Sequence, residues 1–142
     1  DALVSLPHGE GFGLPLFEAA YSGLPVVTVG WSGQLDFLVD DESQEQFYNV
    51  AFDLQPVQKE VHWEGVIVPD SMWAYARESS AKNQMRACYE DTVAGITKYN
   101  NSEITERFAP DKMYKKFVDE VLGFDSSLIE IQEQEQEVLE FE

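Results

Sequence analysis

The sequence predicts an α/β fold, a parallel sheet flanked by helices, and three observations carry that prediction. A short apolar run at residues 2–6 passes through a glycine-rich loop into a helical segment. A second apolar run at 25–29 follows at once, of the kind covered on both faces in parallel sheets. From residue 70 onwards, charged stretches carry apolar residues at helical spacing. Strand, helix and strand in so short a span make a βαβ unit, whose crossover places the helix against the sheet.

The first strand, 2–6, opens on Ala2, Leu3 and Val4. The loop at 7–14 holds Gly9, Gly11 and Gly13, and a backbone without Cβ atoms can approach a ligand closely. Pro15 opens a helix over 15–22, since a first helical position has no partner for an N–H in any case. Gly23 stops it. After the strand at 25–29 come a helical turn at 34–38 and a polar loop at 40–46. Strands are expected at 47–54 and at 61–68, the second bounded by Pro56 and Pro69. Helical periodicity then runs through Ala81, Met85, Cys88 and Tyr89 over 78–91. It returns through Met113, Phe117, Val118 and Val121 over 110–122, where Gly123 ends it. Trp63 and Trp73 are expected in the core, and Trp31 over the sheet edge. Residues 1–124 read as one domain. The tail, 125–142, holds seven acids and no base, and a solvated, disordered segment is expected there.

Composition narrows the function. With 142 residues, 44% hydrophobic and 13% aromatic, the chain has material for a single packed core. No apolar run approaches the length of a membrane span and no segment resembles a signal peptide, so a cytoplasmic location is expected. The lone cysteine, Cys88, excludes an internal disulfide and fits a small buried residue on a helix. A net charge of −18 disfavours nucleic acid and anionic membrane as partners. No Lys or Arg precedes Lys59.

Within that base-free region, residues 8–18 carry the chemistry. The N–H groups of a helix start, together with its dipole, seat an anion. Glu10 stands before this seat and Glu18 one turn inside it. An anion seat bracketed by carboxylates suits a ligand that is part phosphate and part polyol, as a nucleotide sugar is. Taken alone, Glu18 also fits a first-turn glutamate complementing the dipole. His8 fits either a proton donor or sugar contact, or a loop histidine bonded to backbone. Phe12 suits packing rather than stacking. The segment Gly30-Trp31-Ser32-Gly33-Gln34 could form a second ligand loop. Other motifs fail: Leu14 occupies the place where a dinucleotide fingerprint would continue, no Gly-Lys-Ser/Thr is present, and His8 and His62 are too isolated for zinc.

The stretch Glu10-Gly11-Phe12-Gly13-Leu14-Pro15 through Glu18-Ala19-Ala20, then Gly23-Leu24-Pro25-Val26-Val27 and Gly30-Trp31-Ser32-Gly33, resembles the E-x7-E signature of retaining glycosyltransferases. The type is the two-Rossmann-domain (GT-B) architecture, glycosyltransferase family 4. The resemblance covers residues 1–122, with its specific motifs in the first 40. It implies a Rossmann-like sheet, the C-terminal half of a donor-binding domain. It also implies transfer of a sugar from a nucleotide diphosphate donor to a hydroxyl acceptor with retention. By that resemblance Glu10 faces the donor sugar as the candidate catalytic residue, and Glu18 holds the ribose hydroxyls. Gly11, Phe12, Gly13 and Leu14 offer backbone N–H groups to sugar and diphosphate, with His8 and Gly33 also at the donor. Asp36 stands near the place where the family more often has glutamate. No cofactor or metal is implied. The family's basic pair and acceptor domain lie upstream of the signature, outside these 142 residues. Without that basic pair the chain by itself is expected to be inactive; with strand 2–6 left as a sheet edge, it is expected to form a homodimer near residues 2–6 or else to aggregate. The alternative is a non-catalytic nucleotide-sugar-binding or self-associating module.

Overall fold

In the computed structural model, residues 1–99 and 102–123 are described. The chain divides into two compact units, Asp1–Ile104 and Thr105–Glu142. The first unit is built on a parallel sheet of order β1-β2-β3, from strands Leu3–Val4, Val26–Val29 and Tyr48–Val50. Leu3 pairs with Val26, and Val27 pairs with Tyr48. Helix α1, Leu14–Tyr21, makes the crossover from β1 to β2, and the four-residue helix α2, Leu35–Leu38, lies between β2 and β3. The mixed α/β architecture expected from sequence is present.

All four residues of β2 are buried, which requires cover on both faces. Helix α3, Glu78–Val93, supplies one cover: Ala81 and Cys88 pack with Val27, Val29, Tyr48 and Val50. Val26 and Thr28 project the other way by strand alternation. On that side α1 buries Leu16, Ala19 and Ala20, beside Phe37 and Leu38 of α2. Thr28 Oγ1 is enclosed there with no hydrogen-bond partner among the described residues. Met85 and Tyr89 lie outside the buried face of α3 and remain exposed, so the stripe read from sequence is rotated toward Ala81 and Cys88.

Two strand expectations are corrected. The run 47–54 is divided between β3 and a new strand β4, Phe52–Pro56, which pairs antiparallel with β5, Met72–Ala76. The break falls at Ala51, whose N–H donates to Ser80 Oγ and whose carbonyl accepts from Arg77 N–H. With its backbone committed to the start of α3, Ala51 cannot continue either ladder. The run 61–68 is not a strand. A 3-10 turn at Lys59–Val61 precedes a tight reversal in which Trp63 and Ile67 exchange backbone hydrogen bonds across Gly65, at φ 75°. A left-handed residue at that corner favours glycine. Trp63 is 66% exposed there, so its expected place in the core is also corrected. Residues 72–76, expected within a helical region, are extended because Met72, Ala74 and Ala76 register against Pro56, Leu54 and Phe52.

Helix α4, Ser102–Arg107, spans the boundary between the units. In the second unit, helix α5, Pro110–Leu122, starts at a proline and stops at Gly123, φ 62°. Its spaced apolar residues Met113, Phe117 and Val121 are exposed. The tail expected at 125–142 lies outside the described residues. No helix among the described residues is long and apolar enough to cross a membrane.

Candidate functional site

The glycine-rich loop leaves the carboxyl end of β1, and residues 30–34 leave the carboxyl end of β2. Ligands of open parallel sheets bind at this edge, where the chain turns from strand to helix. Here the two loops are fastened to each other. The Glu10 carbonyl accepts from Gly33 N–H at 3.1 Å and from Ser32 Oγ at 2.7 Å, while Glu10 N–H donates to Ser32 Oγ at 3.2 Å. Glu10 is thereby held through its backbone, leaving its side chain to be aimed.

That fastening sets tight demands on residues 32 and 33. Ser32 has φ 79°, a left-handed conformation that costs a non-glycine residue about 1–2 kcal/mol. Its hydroxyl accepts from one group of Glu10 and donates to another, and this offsets the strain. A Cβ on Gly33 would lie 1.9 Å from the Gly11 carbonyl oxygen. Gly33, expected at the donor, is thus first a seat on which the glycine loop rests. Gln34 follows, fully buried, with Nε2 donating to the Val29 carbonyl at 3.1 Å and closing the end of β2. Its Oε1 has no hydrogen-bond partner among the described residues.

At the helix start, Gly13 adopts φ 87°, ψ 52° as the N-cap residue of α1, and no side chain caps the turn. Its carbonyl accepts from Phe17 N–H at 2.9 Å. The N–H groups of Gly11, Phe12, Gly13, Leu14 and Leu16 make no hydrogen bond among the described residues. Pro15, within the first turn, has no N–H to satisfy. A helix normally leaves its first donors for a cap, water or ligand; here Gly11 and Leu14 are exposed, whereas Gly13 and Leu16 are buried. Gly11 has open space where its Cβ would stand, whereas Gly13 faces the Glu10 Cγ at 3.7 Å.

Glu18 is exposed, on the side of α1 away from Leu16, Ala19 and Ala20. Glu10 is half-buried. Neither carboxylate engages a hydrogen bond or ion pair among the described residues. Phe12 packs against Phe17 and Phe37, with centroids 5.5 and 5.0 Å away. Its side chain joins the wall under α1, as its sequence setting suggested.

His8 is decided by β5, an element the sequence reading did not find. Ala74 N–H donates to the His8 carbonyl at 2.9 Å, and His8 Nδ1 lies 2.7 Å from the Ala74 carbonyl. A carbonyl only accepts, so Nδ1 carries the proton and donates. The ring stacks on Trp73, centroids 5.2 Å apart and planes 9° from parallel, with Tyr75 at 4.4 Å. His8 is the backbone-bonded loop histidine, and Nε2 is left over. Period-two spacing of Trp73 and Tyr75 was the available signal for this strand. Trp31, expected over the sheet edge, packs on Phe52 of β4 at 6.0 Å.

Among the described residues, no three His, Cys, Asp or Glu side chains gather as a metal site. Comparison with protein-family models, curated proteins and solved structures returns no match to this chain.

Proposed function

We propose that this chain is part of the Rossmann-like nucleotide-sugar-binding domain of a retaining GT-B glycosyltransferase of the family 4 type. The carrying observation is the row of unpaired N–H groups from Gly11 to Leu16, with Glu10 before it and Glu18 after it. This row stands at the carboxyl edge of a parallel sheet. In this reading the diphosphate of the donor sits on those amides, where fixed donors favour the charge that builds as it leaves. Glu18 accepts from the ribose hydroxyls, since a carboxylate can take two hydrogen bonds from a diol. Glu10, held by Ser32 and Gly33, faces the donor sugar. The reaction moves the sugar to a hydroxyl acceptor with retention. The scheme uses no metal: amides, the α1 dipole and basic side chains stand in its place.

Self-association is favoured by a separate observation. β1 lies at the edge of its sheet, with Val4 44% and Leu6 39% exposed. An unpaired edge with apolar neighbours is a template for another strand. With the base-free region before Lys59, it supports the alternative of a module that binds donor and associates through this edge.

The test is titration of the 15N-labelled chain with UDP-glucose and GDP-mannose. Shifts concentrated at the amides of Gly11, Gly13 and Leu14 are expected. Glu18→Gln should weaken binding by about tenfold, the loss of one hydrogen bond to a charged group. Shifts elsewhere, or none with either donor, would refute the reading. Sedimentation of the same sample checks the dimer.

A further inference from the structure

A second site lies at the opposite edge of the sheet. The residues leading into β2 and β3, Leu24, Pro25 and Gln46, line a cavity of about 250 Å³ at the amino ends of the strands. The rest of its wall is mixed: Phe37 and Leu38 of α2, and Ile96 and Ile104 beyond α3, are apolar, while Thr92, Thr97, Lys98 and Glu103 are polar. Leu24 and Ile96 present 41% and 56% of their surface with no protein neighbour covering it. Apolar cavities of roughly 150 Å³ stay dry and take up a benzene-sized molecule. This chamber accommodates a ring or short acyl chain with a head group.

One cation marks its mouth. Lys98 Nζ sits 5.1 Å from the Tyr48 ring centroid and 5.2 Å from that of Tyr99, and the two rings meet edge to face at 5.0 Å. Tyr48 is fixed in turn by donating its hydroxyl to Asp91 Oδ2 at 2.9 Å. Lys98 and Tyr99 also border an open polar trough of about 500 Å³ that contains Asn49, Arg77 and Gln84. Lys98 therefore stands where the chamber meets the polar trough. Arg77 is already engaged by the Asp53 carboxylate. No carboxylate lies within ion-pair distance of Lys98 among the described residues. Lys98 is exposed and its contact with two aromatic faces is favourable, so its charge is held in place and open to an anion at the mouth.

We propose that this chamber binds a small apolar carboxylate, with its hydrocarbon part against Leu24, Leu38, Ile96 and Ile104 and its carboxylate on Lys98. Glu103 on the chamber wall and Glu45 on the trough add like charge, which selects a singly charged head over a phosphate. The site is independent of the donor seat, which lies at the other end of the strands.

Octanoate is the probe and octanol its neutral counterpart, each titrated into the full chain with methyl shifts as readout. Octanoate should move the methyls of Leu24, Leu38, Ile96 and Ile104. Lys98→Met, which keeps an unbranched stem on the rings, should weaken octanoate about tenfold and leave octanol unchanged. Ile96→Glu, on the exposed rim, should weaken both and serves if Lys98→Met fails to fold. Absence of octanoate binding, equal octanoate affinity in Lys98→Met, or shifts at other methyls would each overturn the proposal.

Discussion

Gly33→Ala should dislodge the glycine loop, and the cost follows from the contacts. The new Cβ would stand 1.9 Å from the Gly11 carbonyl oxygen, 2.7 Å from its carbon and 3.1 Å from the Glu10 oxygen. These are backbone atoms, so no side-chain rotation relieves them. Opening the closest contact to 3.0 Å moves the Gly11 peptide by at least about 1.1 Å. That shift lifts Glu10 off Gly33 N–H and Ser32 Oγ, breaking three half-buried hydrogen bonds. At about 1 kcal/mol net for each, the loss is about 3 kcal/mol. A protein that keeps the bonds must instead accept overpacking of similar size, about 1–3 kcal/mol. Gly11→Ala is the control, because its Cβ meets nothing within 4 Å and its φ is not in the left-handed region. It should stay within about 0.5 kcal/mol of the parent. Urea unfolding followed by circular dichroism reads both. The reasoning fails if Gly33→Ala lies within 0.5 kcal/mol of the parent, or if Gly11→Ala falls as far.

Ser32 should reveal its strain in a pair of variants. Ser32→Ala loses the hydroxyl bonds and keeps φ 79°, whereas Ser32→Gly loses the bonds and the strain together, so it should be more stable than the alanine variant by about 1 kcal/mol; the reverse order in melting experiments counts against the clamp. Burial and then the Asp91 hydrogen bond raise the Tyr48 hydroxyl above its usual value near 10. Its contribution to stability is therefore complete below pH 10 and declines as pH rises beyond it. Tyr48→Phe should cost about 1 kcal/mol at neutral pH and flatten the alkaline limb of the stability profile, and an unchanged limb would contradict this. Burial likewise pushes the Cys88 thiol up, so a disulfide reagent should label it slowly in the native chain and rapidly in urea; equal rates would show the helix opening freely.

The βαβ unit was legible because its signals are local. Gly23 and Pro15 punctuate the chain by what their own backbones permit, and the apolar run at 25–29 states its burial directly. Glu10, Glu18 and the glycines could likewise be placed at a helix start from order alone. Tertiary structure decided what depends on partners distant in sequence. Residues 47–54 alternate well enough for one strand, yet Ser80 and Arg77 claim the backbone of Ala51 and send the chain into a second sheet. His8 carries no sign of Ala74, 66 residues away, which fixes its tautomer. Gly33 likewise carries no sign in the sequence that Gly11 rests on it. Periodicity reports the face a residue turns toward the core, and glycine reports freedom of its own φ. Neither reports which remote backbone will fill the space, because that choice is made only when the sheet edge brings the loops together.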